Sequence, residues 1–109
     1  MPFTFKSQFI ATCLALAVAL LAQPGRAADA SNGSRLAHRW CAACHVVAPT
    51  QRRSTTDQAP PFATIAHRPD FNASRVALFL LDPHPKMPDM SLTRAEAADL
   101  AAFIASLAR

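Results

Sequence analysis

The chain has 109 residues, of which 51% are hydrophobic, and its formal net charge is +4 at pH 7. This length allows one small domain. The 11 Lys and Arg residues form no stripe interleaved with aromatic residues, so the positive charge does not indicate nucleic-acid binding.

Residues 1–27 have the pattern of a cleavable secretory signal peptide. Lys6 makes the start positive, the 14 residues of "FIATCLALAVALLA" form an apolar run, and small residues follow. A bilayer span needs about 20 apolar residues, which disfavours a retained membrane anchor, the alternative interpretation. We expect cleavage after Ala27, or as late as after Ala30, and export to the periplasm of a chain with no stable membrane span. Removal of residues 1–27 takes away two basic residues and lowers the formal charge from +4 to +2.

The next part of the chain predicts helices joined by long loops. In "SNGSRLAHRWCAACH", Ser31 or Asn32 is the expected N-cap of a first helix, because apolar residues recur after them at helical spacing. Residues 46–61 are polar, broken by prolines and without periodicity, and a loop of this length in a small domain usually wraps a bound group. The stretch "FNASRVALFLLDPHP" predicts a short helix that ends at Asp82 and Pro83.

The stretch "LTRAEAADLAAFIASLAR" predicts an amphipathic C-terminal helix that packs on the first helix. Thr93 and Glu96 have the spacing of a capping box. The apolar stripe of this helix is formed by Leu100, Phe103, Ile104 and Leu107. Because no alternating strand pattern or hairpin turn is present, the predicted fold class is all-α.

The motif "CAACH" contains the residues with the most distinctive chemistry, Cys41, Cys44 and His45. Structural zinc needs four ligands, usually from two such motifs, and only one is present. A redox dithiol of the thioredoxin type needs a βαβ setting, which the sequence does not predict. A structural disulfide in an exported protein is a further alternative, but it gives the histidine no role. The pattern Cys-x-x-Cys-His is the attachment sequence of c-type haem, in which the thiols bond to the vinyl groups and the histidine coordinates iron.

Four segments in order, "GSRLAHRWCAACH", "APPF", "PHPKMPDMSLT" and "LAAFIASL", resemble the class I c-type cytochromes, the small bacterial monohaem kind. The resemblance covers nearly all of residues 31–109 and implies a cytochrome c domain over residues 28–109. Its fold would be three to four short helices with long loops wrapped around one covalently bound haem c. The resemblance implies Met87 as the axial ligand opposite His45, with Met90 and His84 as alternatives.

The resemblance also implies contacts that support this site. The carbonyl of Pro60, with that of Pro61 as the alternative, would accept the ring N–H of His45. Gly33 would let the first and last helices cross closely, with Phe103 as its partner at the crossing.

The first helix departs from the family pattern in one place. Many members of the family carry an aromatic residue at the position of Ala37. Either the contact between the helices is thinner here or Trp40 fills it.

Two protein ligands leave iron with no open position, which favours electron transfer over catalysis. The expected function is therefore a periplasmic monohaem cytochrome, not an enzyme, that passes single electrons between redox protein partners. The expected partners are a dehydrogenase, a quinol-oxidising complex or a terminal oxidase or reductase. The alternatives are the haem subunit of a larger dehydrogenase, and a haem enzyme or gas-binding cytochrome with a labile methionine ligand.

Overall fold

The computed structural model describes residues 25–51, 59–83 and 86–109. The predicted signal peptide up to residue 24, His84 and residues 52–58 of the predicted loop lie outside these ranges. The α-helices within them are α1 (Ala30–Leu36), α2 (Phe62–Ala66), α3 (Ala73–Leu81) and α4 (Arg94–Ser106). No strand occurs in the described residues, and the all-α prediction is confirmed. None of the helices in these ranges has the length and hydropathy needed to cross a bilayer.

Helix α1 begins earlier than its predicted caps, so the prediction of Ser31 or Asn32 was wrong. Asp29 is the N-cap, and its side chain accepts hydrogen bonds from the backbone N–H groups of Ser31 (2.9 Å) and Asn32 (3.1 Å). A carboxylate is a good cap at this position because the first turn of a helix presents unpaired N–H groups and partial positive charge.

A π-helical segment, Ala37–Cys41, continues α1. The backbone N–H of Ala42 donates to the carbonyl of Ala37 at 3.0 Å, five residues earlier, which is the π-helical spacing. The segment ends on the first cysteine of the Cys-x-x-Cys-His motif. The motif therefore follows directly from the helix that packs on α4.

Helices α1 and α4 cross at Gly33, as the resemblance implied. A Cβ atom at this position would overlap the backbone carbonyl of Asp99 and would lie 2.8 Å from the Cβ of Phe103. Ala37 is fully buried, whereas Trp40 is 46% exposed. Trp40 therefore does not fill the position of the missing aromatic residue.

A buried carboxylate joins the two crossing helices. Asp99 is only 3% exposed, and it accepts hydrogen bonds of 2.7 Å from the backbone N–H of Asp29 and from the side-chain amide of Asn32. These two hydrogen bonds lower the pKa of Asp99, the bond from Asp29 being the larger cause. The carboxylate is therefore charged at neutral pH and links the start of α1 to the middle of α4.

Helix α4 has the cap and the apolar stripe that its sequence predicted. The Thr93 hydroxyl accepts from the backbone N–H of Glu96 at 3.1 Å, and the Glu96 carboxylate accepts from the backbone N–H of Thr93 at 2.8 Å. Leu100, Phe103 and Ile104 are buried, and Leu107 is half-buried. The capping box and the core-facing stripe are both confirmed.

Helices α2 and α3 pack against α4 on the side of the chain that carries the site. Helix α3 begins after Asn72, whose side chain accepts from the backbone N–H of Arg75 at 2.9 Å, and it ends before Asp82 as predicted. Helix α2 was not predicted, because five residues are too few to show a helical period. Its apolar residue Phe62 is buried in the core.

Candidate haem-binding site

The Cys-x-x-Cys-His motif forms a tight turn at the end of the first helical segment. The backbone carbonyl of Cys41 accepts from the N–H of Cys44 at 3.1 Å and from the N–H of His45 at 2.8 Å. Cys41 is buried, Cys44 is exposed, and both are free thiols. Burial raises the pKa of the Cys41 thiol to about 11, and the neighbouring Cys44 adds to the rise. The turn brings two thiols and an imidazole together within five consecutive residues, 41–45.

The imidazole of His45 is oriented by a hydrogen bond to a residue 15 positions later. Its Nδ1 lies 2.7 Å from the carbonyl oxygen of Pro60. The carbonyl of Pro61 is engaged elsewhere, because it accepts from the backbone N–H of Ile65 at 3.1 Å in the first turn of α2. The His45 ring also packs on Phe62, with 5.2 Å between ring centroids. With Nδ1–H donating to Pro60, Nε2 is the nitrogen whose lone pair can bind a metal.

Two cavities adjoin this motif. The larger has a volume of about 390 Å³ and lies between the motif and helices α2, α3 and α4. The smaller has a volume of about 200 Å³ and lies between the motif and residues 86–90. The walls shared by both are formed by Cys41, His45, Pro60 and Met87. Even without the smaller one, the larger cavity has the size of a small-molecule or cofactor pocket, which typically measures about 300–1,000 Å³.

The two candidate methionine ligands occupy different positions. Met87 is half-buried and lines both cavities, whereas Met90 lines only the smaller one. The structure thus brings Cys41, His45, Pro60 and Met87 to one cavity, with Cys44 on the smaller one.

The donor set fits haem better than a bare metal ion. Two thiols, an imidazole with Nε2 available and a thioether line cavities whose walls are mostly apolar, including Phe71, Val76 and Ile104. Within the described ranges, no cluster of three or more His, Cys, Asp or Glu side chains is arranged to hold a metal ion. The zinc interpretation therefore has no second set of ligands in the described part of the chain.

The family model described as "Cytochrome c" matches residues 30–108, nearly all of the described fold. The chain belongs to the cytochrome c family. It is 56% identical over 95 residues to cytochrome c-552 of Bradyrhizobium diazoefficiens. The aligned residues cover 87% of this chain and 90% of that protein. No solved structure matches the chain. The family assignment confirms the cytochrome c fold, one covalently attached haem c, and the general function of a monohaem electron carrier with redox protein partners.

One residue that supports the Cys-x-x-Cys-His motif of this cytochrome was not predicted from the sequence. The Gln51 side chain accepts from the backbone N–H of Val47 at 2.9 Å and donates to the carbonyls of Ala42 at 3.1 Å and His45 at 2.8 Å. The Gln51 side chain therefore links the backbone of the motif, at Ala42 and at His45, to the loop that follows. A glutamine in a polar, aperiodic stretch carries no sequence signal for such a role.

Charged side chains line only one part of the larger cavity. They are Arg68, Asp70 and Arg75, at the corner between α2 and α3. The Arg68 Nε lies 3.5 Å from the Asp70 carboxylate, and both side chains are largely exposed. The two arginines are the cationic groups of this lining that could pair with the carboxylates of a bound haem.

Proposed function

We propose that this cytochrome is an exported, periplasmic carrier that passes single electrons through one haem attached at Cys41 and Cys44. His45 and Met87 are the proposed axial ligands. The observation that supports this assignment most is the position of His45 and Met87 on the same two cavities, with the Nδ1 of His45 occupied by Pro60. When bound, the haem supplies an iron that changes between the ferrous and ferric states.

His45 is the proposed proximal ligand because its hydrogen bond to Pro60 prepares one nitrogen for iron. Donation of Nδ1–H to the carbonyl selects the tautomer with an unprotonated Nε2 and limits rotation of the ring. The same hydrogen bond makes the imidazole a stronger electron donor. Contact with Phe62 holds the ring from a second direction.

Met87 is the proposed second ligand because it lines the larger cavity, which Met90 does not. A thioether is a soft, neutral ligand that favours ferrous iron and raises the reduction potential. The apolar walls act in the same direction, because they disfavour the extra positive charge of the ferric state. Two protein ligands also leave no position for a substrate on the metal, which supports a carrier rather than an enzyme.

The proposed location and the proposed partners are supported by features of the sequence outside the cavity. The pattern of residues 1–27 supports export, and a c-type motif in an exported chain supports a periplasmic location. The proposed donors and acceptors are redox proteins: a dehydrogenase, a quinol-oxidising complex, or a terminal oxidase or reductase. Removal of two basic residues with the signal leaves a formal charge of +2, and two haem propionates reduce it to about zero. Association with these partners should therefore depend only weakly on salt.

The test of the ligand set is the visible spectrum of the haem-loaded protein, ferric and ferrous, with and without carbon monoxide. We expect the far-red band of a thioether bound to ferric iron in the wild type and in Met90→Ala, and its loss in Met87→Ala. Met90→Ala is the matched control because it removes a nearby methionine from the smaller cavity only. Binding of carbon monoxide by the wild type would overturn the carrier assignment in favour of a gas-binding cytochrome or a haem enzyme with a labile methionine.

A further inference from the structure

We propose that the precursor is cut between Ala27 and Ala28 and that the α-ammonium created on Ala28 forms an ion pair with the buried carboxylate of Asp99. The proposal rests on export as part of the proposed function. It adds a specific processing site and a role for that site in the folded protein. The new chain end would strengthen the contact between the start of α1 and helix α4.

The contacts of Asp29 favour cleavage after Ala27 over cleavage after Ala30, the two sites that the sequence allows. Asp29 caps α1 with its side chain, and its backbone N–H donates to Asp99 at 2.7 Å. A cut after Ala30 would remove both contacts and leave one oxygen of a buried carboxylate without its partner. Leaving a buried polar group unpaired destabilises a fold. Cleavage after Ala27 keeps Asp29 and its contacts in the mature chain.

The described residues before the cut are suited to removal. Gly25, Arg26 and Ala27 are exposed, and none of them forms a hydrogen bond with another described residue. A Cβ atom placed on Gly25 would meet nothing within 4 Å. Removing residues up to Ala27 therefore costs the fold no buried contact.

The same cut exchanges one positive charge for another beside Asp99. In the uncut chain, Arg26 is among the groups that lower the pKa of Asp99, although it contributes less than the hydrogen bonds from Asp29 and Asn32. Cleavage removes Arg26 and creates an ammonium on Ala28, one residue before the nitrogen that already contacts Asp99. Since adjacent Cα atoms are about 3.8 Å apart, the new ammonium lies within roughly 6.5 Å of the carboxylate and is free to turn toward it.

Asp99 can accept this additional donor. A carboxylate has about four acceptor sites, and the structure uses two of them for Asp29 and Asn32. The other charged groups around the new chain end are two carboxylates, of Asp29 and Glu96, and two guanidiniums, of Arg94 and Arg35. Arg94 lines the same surface groove as Ala28, and Arg35 donates to the Asn32 side chain that contacts Asp99. These charges offset one another in number, so Asp99 is the group that favours a positive charge on Ala28.

The first experiment is the intact mass and N-terminal sequence of the exported, haem-loaded protein. A chain that begins at Ala28 is expected, and a chain that begins at Ser31 would overturn the proposal. The visible spectrum of the same sample reports haem ligation independently, so a failure of the processing site is distinguishable from a failure of the carrier function.

The second experiment measures the pKa of the α-amine from the pH dependence of its acetylation, followed by peptide mass spectrometry. The chain after residue 27 contains one lysine, Lys86, so the only other amine serves as an internal reference. The α-amine pKa is expected above its ordinary range of about 7.7–8.0, and Asp99→Asn is expected to return it to that range. Glu96→Gln is the comparison on the same helix, because glutamine also completes a capping box, and it is expected to lower the α-amine pKa less than Asp99→Asn does. An ordinary pKa that is the same in wild type and Asp99→Asn would overturn the ion pair.

A third measurement covers the case in which Asp99→Asn does not fold. In the wild type, added salt is expected to move the α-amine pKa back toward its ordinary range, because salt weakens a partly exposed ion pair. Acetylation confined to the α-amine is expected to lower the melting temperature, and to lower it less at high salt. Absence of both effects would overturn the proposal.

Discussion

The helix crossing and the methionine segment are held in different ways. We use helix crossing for the contact of α1 with α4 at Gly33, Asp99 and Phe103, and methionine segment for residues 86–92. At the crossing, backbones touch and each oxygen of a buried carboxylate accepts a hydrogen bond from the chain itself. In the methionine segment, Met87 and Met90 are half-buried.

The backbone of the methionine segment is also less favourable. Ser91 has a φ of 53°, in the left-handed region that residues other than glycine rarely adopt, and its N–H donates to the Asp89 side chain at 2.7 Å. We infer that the crossing is stable by its own packing, whereas the methionine segment depends on the proposed bond from Met87 to iron. The helix that leads into the motif is thus held by the fold itself, and the methionine segment would be completed by the cofactor.

The largest expected effect comes from breaking the crossing with Gly33→Val. Any Cβ atom there overlaps the α4 backbone, which cannot move as a flexible side chain can. The loss of stability should reach or exceed the upper end of the roughly 1–3 kcal/mol usual for overpacked cores. Denaturant unfolding and the yield of haem-loaded protein measure it. Ser31→Ala, at an exposed position of the same helix, is the control and should change little; a stable Gly33→Val protein would mean that the helices do not cross as described.

The next largest expected effect is a difference in hydrogen exchange between the two regions of the folded protein. In the haem-loaded protein, amides of the methionine segment should exchange hydrogen at least about a hundredfold faster than amides of α1 and α4 near the crossing, because local opening needs less free energy than global unfolding. Met87→Ala should widen this difference by raising exchange in residues 86–92 alone. Exchange that rises equally in α4 would show that the methionine bond also supports the crossing.

A smaller effect tests the carboxylate of the crossing through Asp99→Asn. The substitution places an amide where two donors already point, and an unpaired buried polar group costs about 1–3 kcal/mol. Because hydrogen bonds lower the pKa of Asp99 in the folded state, its contribution is complete above the ordinary aspartate pKa of about 3.9 and is lost as the pH falls through the lowered value. Wild type and Asp99→Asn should therefore differ in unfolding free energy at pH 7 and converge in acid. The exposed Asp82→Asn is the control; a difference that does not change with pH would contradict the charged state of Asp99.

The sequence predicts the apolar and conformational features of both regions better than their polar contacts. The capping box of Thr93 and Glu96 and the need for glycine at position 33 follow from local spacing or from the family pattern, and the structure has both. Asp99 could not be recognised as buried, because its partners, the backbone N–H of Asp29 and the amide of Asn32, are about 70 residues away in the chain. The N-cap of α1 was predicted wrongly for a different reason: Asp, Ser and Asn are all common N-caps, and local spacing does not choose between Asp29, Ser31 and Asn32.

The smallest expected effect concerns Gln51, which hydrogen-bonds to the turn of the motif. Gln51→Ala removes hydrogen bonds to Val47, Ala42 and His45, and each typically contributes about 0.5–1.5 kcal/mol. Water can replace part of this loss, because the side chain is only half-buried. We therefore expect a decrease in unfolding free energy of about 1–2 kcal/mol, measured by denaturant titration with the exposed Thr50→Ala as control.

The same substitution shows which half of the site Gln51 supports. Its hydrogen bonds with described residues reach the backbone around His45, so hydrogen exchange should increase in the turn of the motif and stay unchanged in the methionine segment. The far-red thioether band should persist, because Met87 is untouched. Loss of the band would mean that the turn also fixes the position of His45, and that a shift of His45 weakens the proposed bond from Met87 to iron.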